Sequence, residues 1–408
     1  MDLRIAGGRV LLEGGLEDTP VDISTADGII AGIGCEHPTR RTLDATGLLV
    51  LPGIIDIHGD AFERQIMPRP GVAVSLDIAL IESDRQAIAN GITTVFHGVT
   101  WSWEPGLRGA ENARGILAAM EALRPRLAAD TRFHLRHETY NLDAEIEVAG
   151  WLAARRIDAV AFNDHLPTAD NAAKRPDKIG QMAERSGLPR EDFLKLVERL
   201  RGRRDEVPHS ITRIAGHAKA HDVALLSHDD ESPQQRRWFR TLGCRVSEFP
   251  MNLETAREAA AASDDIVLGA PNVMRGGSHI GWVNASDMIS HGLCSILASD
   301  YYYPAPLIAA FRLARSGVAP LDRAWSLVSG SPARAVGLRD RGCIKQGLRA
   351  DLVLVDPAPD SPPRVIAALV AGRIVHLAQA ERIIAPDPRS ENLRSMTPAR
   401  AGPGDRPR

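Results

Sequence analysis

The sequence predicts an α/β protein built as a (β/α)8 barrel, a TIM barrel, with a small β domain formed from both chain termini. Three observations predict it. Apolar runs of strand length alternate with helical stretches through the middle of the 408-residue chain. Short β-rich segments flank that region at both ends. Ionisable residues follow the apolar runs again and again, as they do in a barrel that carries its chemistry at the C-terminal ends of its strands.

Taken in order, residues 2–50 read as short strands broken by glycine turns: LRIAGGRVLL, DGIIAGIG and TLDATGLLVLPG. Candidate barrel strands follow near 53–58, 92–98, 133–138, 158–164, 223–228, 243–248, 265–269 and 294–300. A doubly wound open sheet is the competing architecture, but no GxGxxG follows an early strand. GCIKQGLRADLVLVD and RVIAALVAGRIVHL then return to the short-strand pattern. The expected division is a β domain from 1–50 and 340–380, the (β/α)8 barrel over 51–339, and a disordered tail over 385–408, rich in Pro, Arg and Ser.

Composition narrows the function. With 44% hydrophobic and 25% charged residues the chain reads as a soluble globular protein. A formal net charge of -3 argues against a nucleic-acid binder, so an anionic substrate would need local arginines. Cys35, Cys244, Cys294 and Cys343 lack CxxC spacing, which argues against both a thiolate zinc site and a disulfide scaffold. Neither a signal peptide nor a membrane-spanning run is evident, so a cytoplasmic setting is expected.

The strand ends carry the chemistry. GIIDIHGD ends in His58 and Asp60, which share a face on a strand because they lie two apart. FHLRHE ends in Glu138, AVAFNDH in His165, VALLSHDD in His228, RVSEF carries Glu248, and ILASD ends in Asp300. Neutral imidazoles and carboxylates suit one or two divalent ions, zinc first, with manganese and iron as alternatives. On this reading His58, Asp60, Glu138, His165 and His228 are ligands, with Glu138 able to bridge two ions. Asp300 is the catalytic general base on a metal-bound water. Any one strand-end histidine is more often a cap or a core group; six ionisable groups, the five ligand candidates and Asp300, at the same end of successive strands are harder to dismiss. His217 and His221 in GHAKAH form a weaker rival, since the Glu of HExxH is missing and the neighbours are basic. His97, His134 and His137 stay ambiguous, although His134 and Arg136 share parity with Glu138.

The run APNVMRGGSH follows the seventh candidate strand, where loops of this fold often bind phosphate. Arg275, Gly276, Gly277, Ser278 and His279 are therefore expected to bind an anion, with Arg69 of MPRPG and Arg136 reaching it from other strands. The bland alternative is a flexible loop. Tyr301, Tyr302 and Tyr303 either line the pocket or pack.

GLLVLPGIIDIHGD and GCIKQGLRADLVLVD resemble the paired signatures of the amidohydrolase superfamily. HGD followed by MPRPGV, then NGITTV, FHLRHE, LLSHDDE, SEFPMNLETA, LGAPNVMRGGSH with GWVNAS, and ILASDYYYP resemble the PhnM family of phosphonate metabolism. These segments run from about residue 50 to 355. The resemblance implies a diphosphatase acting on the triphosphate of α-D-ribose 1-methylphosphonate 5-triphosphate, a small phosphorylated metabolite. It implies the same six positions as metal site and base. Superfamily members use either Glu or a carboxylated Lys between two ions; no lysine stands at a strand end here, which favours Glu138. HGDAFERQ stands where members of the PhnM family carry HTDN, and the tyrosine run is longer, so the substrate is less defined than the chemistry. An amidohydrolase or deaminase acting on a C–N bond would use the same ligands, and a non-catalytic metabolite-binding barrel would not need them. Exposed barrel faces also allow a homo-oligomer.

Overall fold

The computed structural model describes residues 2–35, 41–69, 71–167, 176–276 and 285–384. Gly277, Ser278 and His279, together with the 385–408 tail, lie outside the described residues. Eight parallel strands succeed one another in chain order through a single sheet. They are β1 (Ile54–Gly59), β2 (Ile92–Trp101), β3 (Asp130–Glu138), β4 (Ala159–Asn163), β5 (Ala224–His228), β6 (Val246–Glu248), β7 (Asp265–Gly269) and β8 (Ile296–Ala298). The helices used below are α1 (Leu76–Ala89), α2 (Ala110–Leu123), α3 (Glu145–Ala153), α4 (Pro176–Ser186), α5 (Arg190–Arg201), α6 (Val207–Ala220), α7 (Pro233–Leu242), α8 (Leu253–Ala261), α9 (Ala270–Arg275) and α10 (Ala305–Arg315). The expected barrel is the one observed.

The ring is nearly closed, and polar contacts complete it. Beyond the last residues of β8, the Asp300 amide donates to the His58 carbonyl and the Asp60 amide donates to the Asp300 carbonyl, each at 3.0 Å. Asp56 supplies a side-chain stitch: its carboxylate accepts from the Ser299 amide at 3.0 Å and from the Ser299 hydroxyl.

Strands buried on both faces must be apolar almost throughout, and β2 is buried at every position. Alternate residues separate into two environments. Ile55, Ile57, Phe96, Ala161, Leu226, Val246, Val267 and Ile296 fill the ring. Val99, Phe133, Leu135, Val160 and Phe162 instead face the helices. Helix α2 buries Ala113, Ile116, Leu117 and Met120, a single stripe at helical spacing, against that outer layer.

Both termini build the β domain. One sheet joins Leu3–Ala6, Ile23–Ala26, Ile29–Ile33 and Arg41–Asp44 with Ile383–Ile384. The other joins Arg9–Leu12, Gly15–Leu16 and Leu49–Pro52 with Leu352–Asp356, Arg364–Val370 and Arg373–Leu377. Ile5, Val10, Ile30, Leu43, Leu352 and Ile366 meet in their shared core. No helix among the described residues is long and apolar enough to cross a membrane.

Helices α4 and α5 are an excursion between β4 and α6 that apolar periodicity did not single out. Ile179, Met182, Phe193 and Val197 give the pair a small core of its own, with Trp103 packed against it.

Helix α7 shows how local chemistry sets up the rim. Ser232 caps it by accepting from the Gln235 amide at 3.2 Å, Pro233 opens its first turn, and Gly243 ends it at φ 103°. Its Arg236 is fully buried. Arg236 donates to Ser227 Oγ at 2.6 Å and to Asp230 at 3.2 Å, and its Nε lies 3.2 Å from Asp264. Ser227 and Ser247 hydroxyls both donate to Asp230 at 2.7 Å, so this guanidinium ties β5, β6 and the turn after β5 together. Arg236→Met takes the guanidinium from buried Asp230 and one of the cations from buried Asp264, which Arg240 still holds at 2.7 Å, and is expected to lower unfolding free energy by about 3–5 kcal/mol. Urea unfolding followed by circular dichroism measures it; a loss below about 1 kcal/mol would remove the network from the rim's supports.

Candidate metal centre

Strand parity places the inner residues of β3. With Phe133 and Leu135 committed to the outer core, His134, Arg136 and Glu138 point into the ring. His137 faces outward, its ring edge-on to Phe162. Parity does not explain His58, because Ile55 and Ile57 already face inward on β1. The pairing with β2 shifts register between Asp56 and Gly59. Past that irregularity His58 stacks on His228 with ring centroids 5.1 Å apart and meets His134 edge-on at 5.4 Å.

One buried carboxylate organises the imidazoles. Glu248, at the end of β6, lies 2.9 Å from His58 Nδ1 through Oε1 and 3.2 Å from His228 Nδ1 through Oε2. Burial, helped by Arg136, holds His58 down to about 3, and burial drives His228 in the same direction, so both rings are neutral. A neutral ring that donates Nδ1–H to a carboxylate keeps its lone pair on Nε2. His134 has its Nδ1 2.8 Å from the Ile57 carbonyl, while its buried Nε2 meets no protein partner. Burial pushes Glu248 itself up to about 7.

A second group lies alongside. His165 Nδ1 is 2.6 Å from Glu138 Oε1, and the His165 amide donates to Glu138 Oε2 at 3.0 Å. His165 Nε2 lies 3.4 Å from Asp229, which also comes within 3.7 Å of His228 Nε2. Glu138 raises His165 to about 9 despite burial. For Glu138, burial would raise the pKa, but the His165 charge and hydrogen bonds outweigh it and hold the group near about 2. Arg136 bridges the halves, donating to Asp60 at 3.2 Å and approaching His228 Nε2 at 3.1 Å. Asp300 stands at φ 55° on the far side of the seam, and burial, with Asp60 nearby, pushes it up to about 7.

His58, His134 and Glu248 form one set whose ligand atoms lie within 4.8 Å of one another; His165, His228 and Asp229 form another. Imidazole nitrogens and carboxylate oxygens, with one buried nitrogen left unpartnered, fit a divalent ion. Of the five ligands expected, His58, His165 and His228 lie in these sets, whereas Asp60 is held by Arg136 and Glu138 by His165. His134, Asp229 and Glu248 were not among them. Parity with Glu138 pointed to His134, and the acid of RVSEF to Glu248; Asp229 carries only the weak signal of a second acid after His228.

The expected anion loop is less central. Arg275 is exposed, bonded to the Pro271 carbonyl at 3.3 Å and Asn272 at 3.0 Å. It lines an open cavity of about 450 Å³ with Arg64, Met274, Tyr301 and Tyr302. Gly276 caps α9 at φ 77°, where a Cβ would lie 2.8 Å from Arg312. Arg69 is exposed in a turn with Val72. Tyr303 packs in the core, and His217 is exposed on α6.

No protein-family model matches the chain. It is 33% identical over 331 residues to α-D-ribose 1-methylphosphonate 5-triphosphate diphosphatase of Escherichia coli K12, covering 77% of this chain and 85% of that enzyme. An adenine deaminase of Methylobacterium nodulans is 27% identical over 386 residues, 91% of this chain but only 58% of that protein. A dihydroorotase of Citrifermentans bemidjiense is 24% identical over 412 residues, 88% and 91% of the two chains. In fold, the chain matches N-isopropylammelide isopropylaminohydrolase from Burkholderia multivorans with a TM-score of 0.61 at 18% identity, covering 92% of this chain and 98% of that one. It matches a D-hydantoinase from Bacillus sp. AR9 with a TM-score of 0.60 at 14% identity, covering 92% and 95%. A barrel with histidines and carboxylates gathered at its strand ends, and 33% identity to the E. coli enzyme over 331 aligned residues, leads to one assignment: the chain is a hydrolase of the amidohydrolase superfamily and belongs to the family of that diphosphatase.

Proposed function

We propose that this hydrolase cleaves α-D-ribose 1-methylphosphonate 5-triphosphate to the 5-phosphate and pyrophosphate. The observation that carries the reading is the 33% identity extending over 85% of the E. coli enzyme of that activity. The site's charges support it. A triphosphate needs cationic partners, and Arg136 presents a guanidinium between Asp60 and His228 in the ring.

His58, His134, His165, His228 and the carboxylates around them would hold a divalent ion, with zinc as first choice for this donor set. Bound there, it would polarise phosphoryl oxygens and make water more acidic. The chain's own residues do the rest. Asp300, pushed up to about 7, is matched to taking a proton from water near neutrality. The water oxygen bonds to the α-phosphorus, the proton passes to Asp300, and the bond to the bridging oxygen breaks as pyrophosphate leaves. Arg136 offsets charge on the phosphates, and the cavity beside Arg64 and Arg275 gives the departing pyrophosphate cationic walls.

The likeness to an adenine deaminase and a dihydroorotase favours a second reading, hydrolysis of a C–N bond. The product decides between them. Pyrophosphate released from the ribosyl triphosphate supports the first; ammonia or a new carboxylate from nitrogenous substrates, without pyrophosphate, replaces it with the second. Asp300→Asn is expected to lower kcat by about 10²–10⁴-fold while metal content by elemental analysis stays level. Unchanged turnover would exclude Asp300 as the base. Glu248→Gln leaves one of two imidazole N–H groups poorly matched and is expected to weaken metal binding by about 10–100-fold, measured by chelator competition. Wild-type affinity in that variant would show that Glu248 does not orient the ligands.

A further inference from the structure

A small cavity of about 180 Å³ opens beside Glu138 and His165, away from Arg275. Its other walls include Thr100, Trp103, Glu104, Arg108 and Arg185. Three buried polar atoms of these walls meet no protein partner: Thr100 Oγ1, Trp103 Nε1 and Glu104 Oε2. Glu104 is 1% exposed and Thr100 4%. Buried polar atoms are seldom left this way, because each forfeits its hydration. Three around one cavity describe a place built for a polar guest.

The chemistry of the three atoms selects the guest. The indole offers a donor, the carboxylate oxygen an acceptor, and the hydroxyl serves as either. The guanidiniums nearby are already matched by carboxylates. Arg185 donates to Glu104 Oε1 at 2.7 Å, and Arg108 grips Glu63 at 3.0 and 2.8 Å. A phosphate here would confront Glu104 Oε2 and Glu138. A hydroxyl can donate to the first and accept from the indole or threonine. At ~30 Å³ of liquid per water, the volume holds about six waters, the scale of one sugar ring. The cavity shares Ser102, Trp103 and Glu104 with a larger one of about 1010 Å³ beneath α5, which leaves the ring's other substituent a way out.

We infer that this cavity binds the hydroxyl groups of a sugar, with Glu104 as acceptor and Thr100 and Trp103 opposite, while the phosphate chain lies on the Arg136 side. The inference rests on the reading above, since it names which part of that substrate this cavity takes. Glu104 then determines specificity, and α4 positions it through Arg185.

The test is calorimetric binding to the metal-loaded full chain, using ribose 5-phosphate, its 2-deoxy and 3-deoxy analogues, and pyrophosphate. Wild type is expected to bind ribose 5-phosphate at least about tenfold more tightly than one of the deoxy sugars. Glu104→Gln keeps an acceptor for Arg185 and is expected to shrink that preference below about threefold, leaving pyrophosphate affinity unchanged. Thr100→Val should reduce the preference independently. The inference is overturned if wild type binds no sugar phosphate or does not distinguish them. It is equally overturned if the preference survives both substitutions, or if Glu104→Gln tightens pyrophosphate, which would put phosphate in the cavity. Pyrophosphate release from the triphosphate judges the activity separately, so either idea can fail alone.

Discussion

Closure of the ring between its first and last strands is the constraint on which the site depends. Two backbone hydrogen bonds and the Asp56–Ser299 contact hold β1 beside the segment after β8. That junction brings His58, Asp60 and Asp300 together although more than half the chain separates them. The left-handed backbone at Asp300 belongs to the same junction: the strand ends, and the chain turns sharply enough to set a carboxylate over the mouth of the ring. A ring held less firmly there would separate Asp300 from His58 and Asp60.

Burial sets the protonation states in this mouth. Deep in the ring, imidazoles are kept neutral, the form that donates a lone pair to a cation. The same burial raises Glu248 and Asp300 towards neutrality. Only where opposite charges stand in contact, as at Glu138 and His165, does pairing overcome desolvation. A single physical effect thus sets the buried imidazoles and these two carboxylates, and specific partners account for the exceptions. The Arg236 network works one layer further out, fixing the turn that carries Asp229 by anchoring its neighbour Asp230.

The architecture was legible because the two periodicities are strong: all eight apolar runs became strands, displaced by no more than a few residues. The inner face of β3 was legible for the same reason, since alternation decides between His134 and His137 without any tertiary information. His58 reached the interior by a route that alternation cannot express, a register shift against β2. The rearrangement of partners around Asp60 and Glu138 was invisible too. Which carboxylate pairs with which cation depends on distances across the ring, and Arg136 carries no mark in sequence that it will hold Asp60. The helical excursion after β4 was missed because its apolar residues serve a small separate core and add nothing to the barrel's pattern.

That excursion has a consequence for how such a protein can diversify. Helices α4 and α5 enclose their own hydrophobic nucleus and, among the described residues, meet the barrel side at Trp103 and through the Arg185–Glu104 pair. Lengthening, shortening or exchanging them would leave the seam, the ring and the imidazole cluster standing. Selection acting on which molecules are admitted is thereby uncoupled from selection acting on whether the chain folds, so one scaffold can explore new chemistries at little risk to itself.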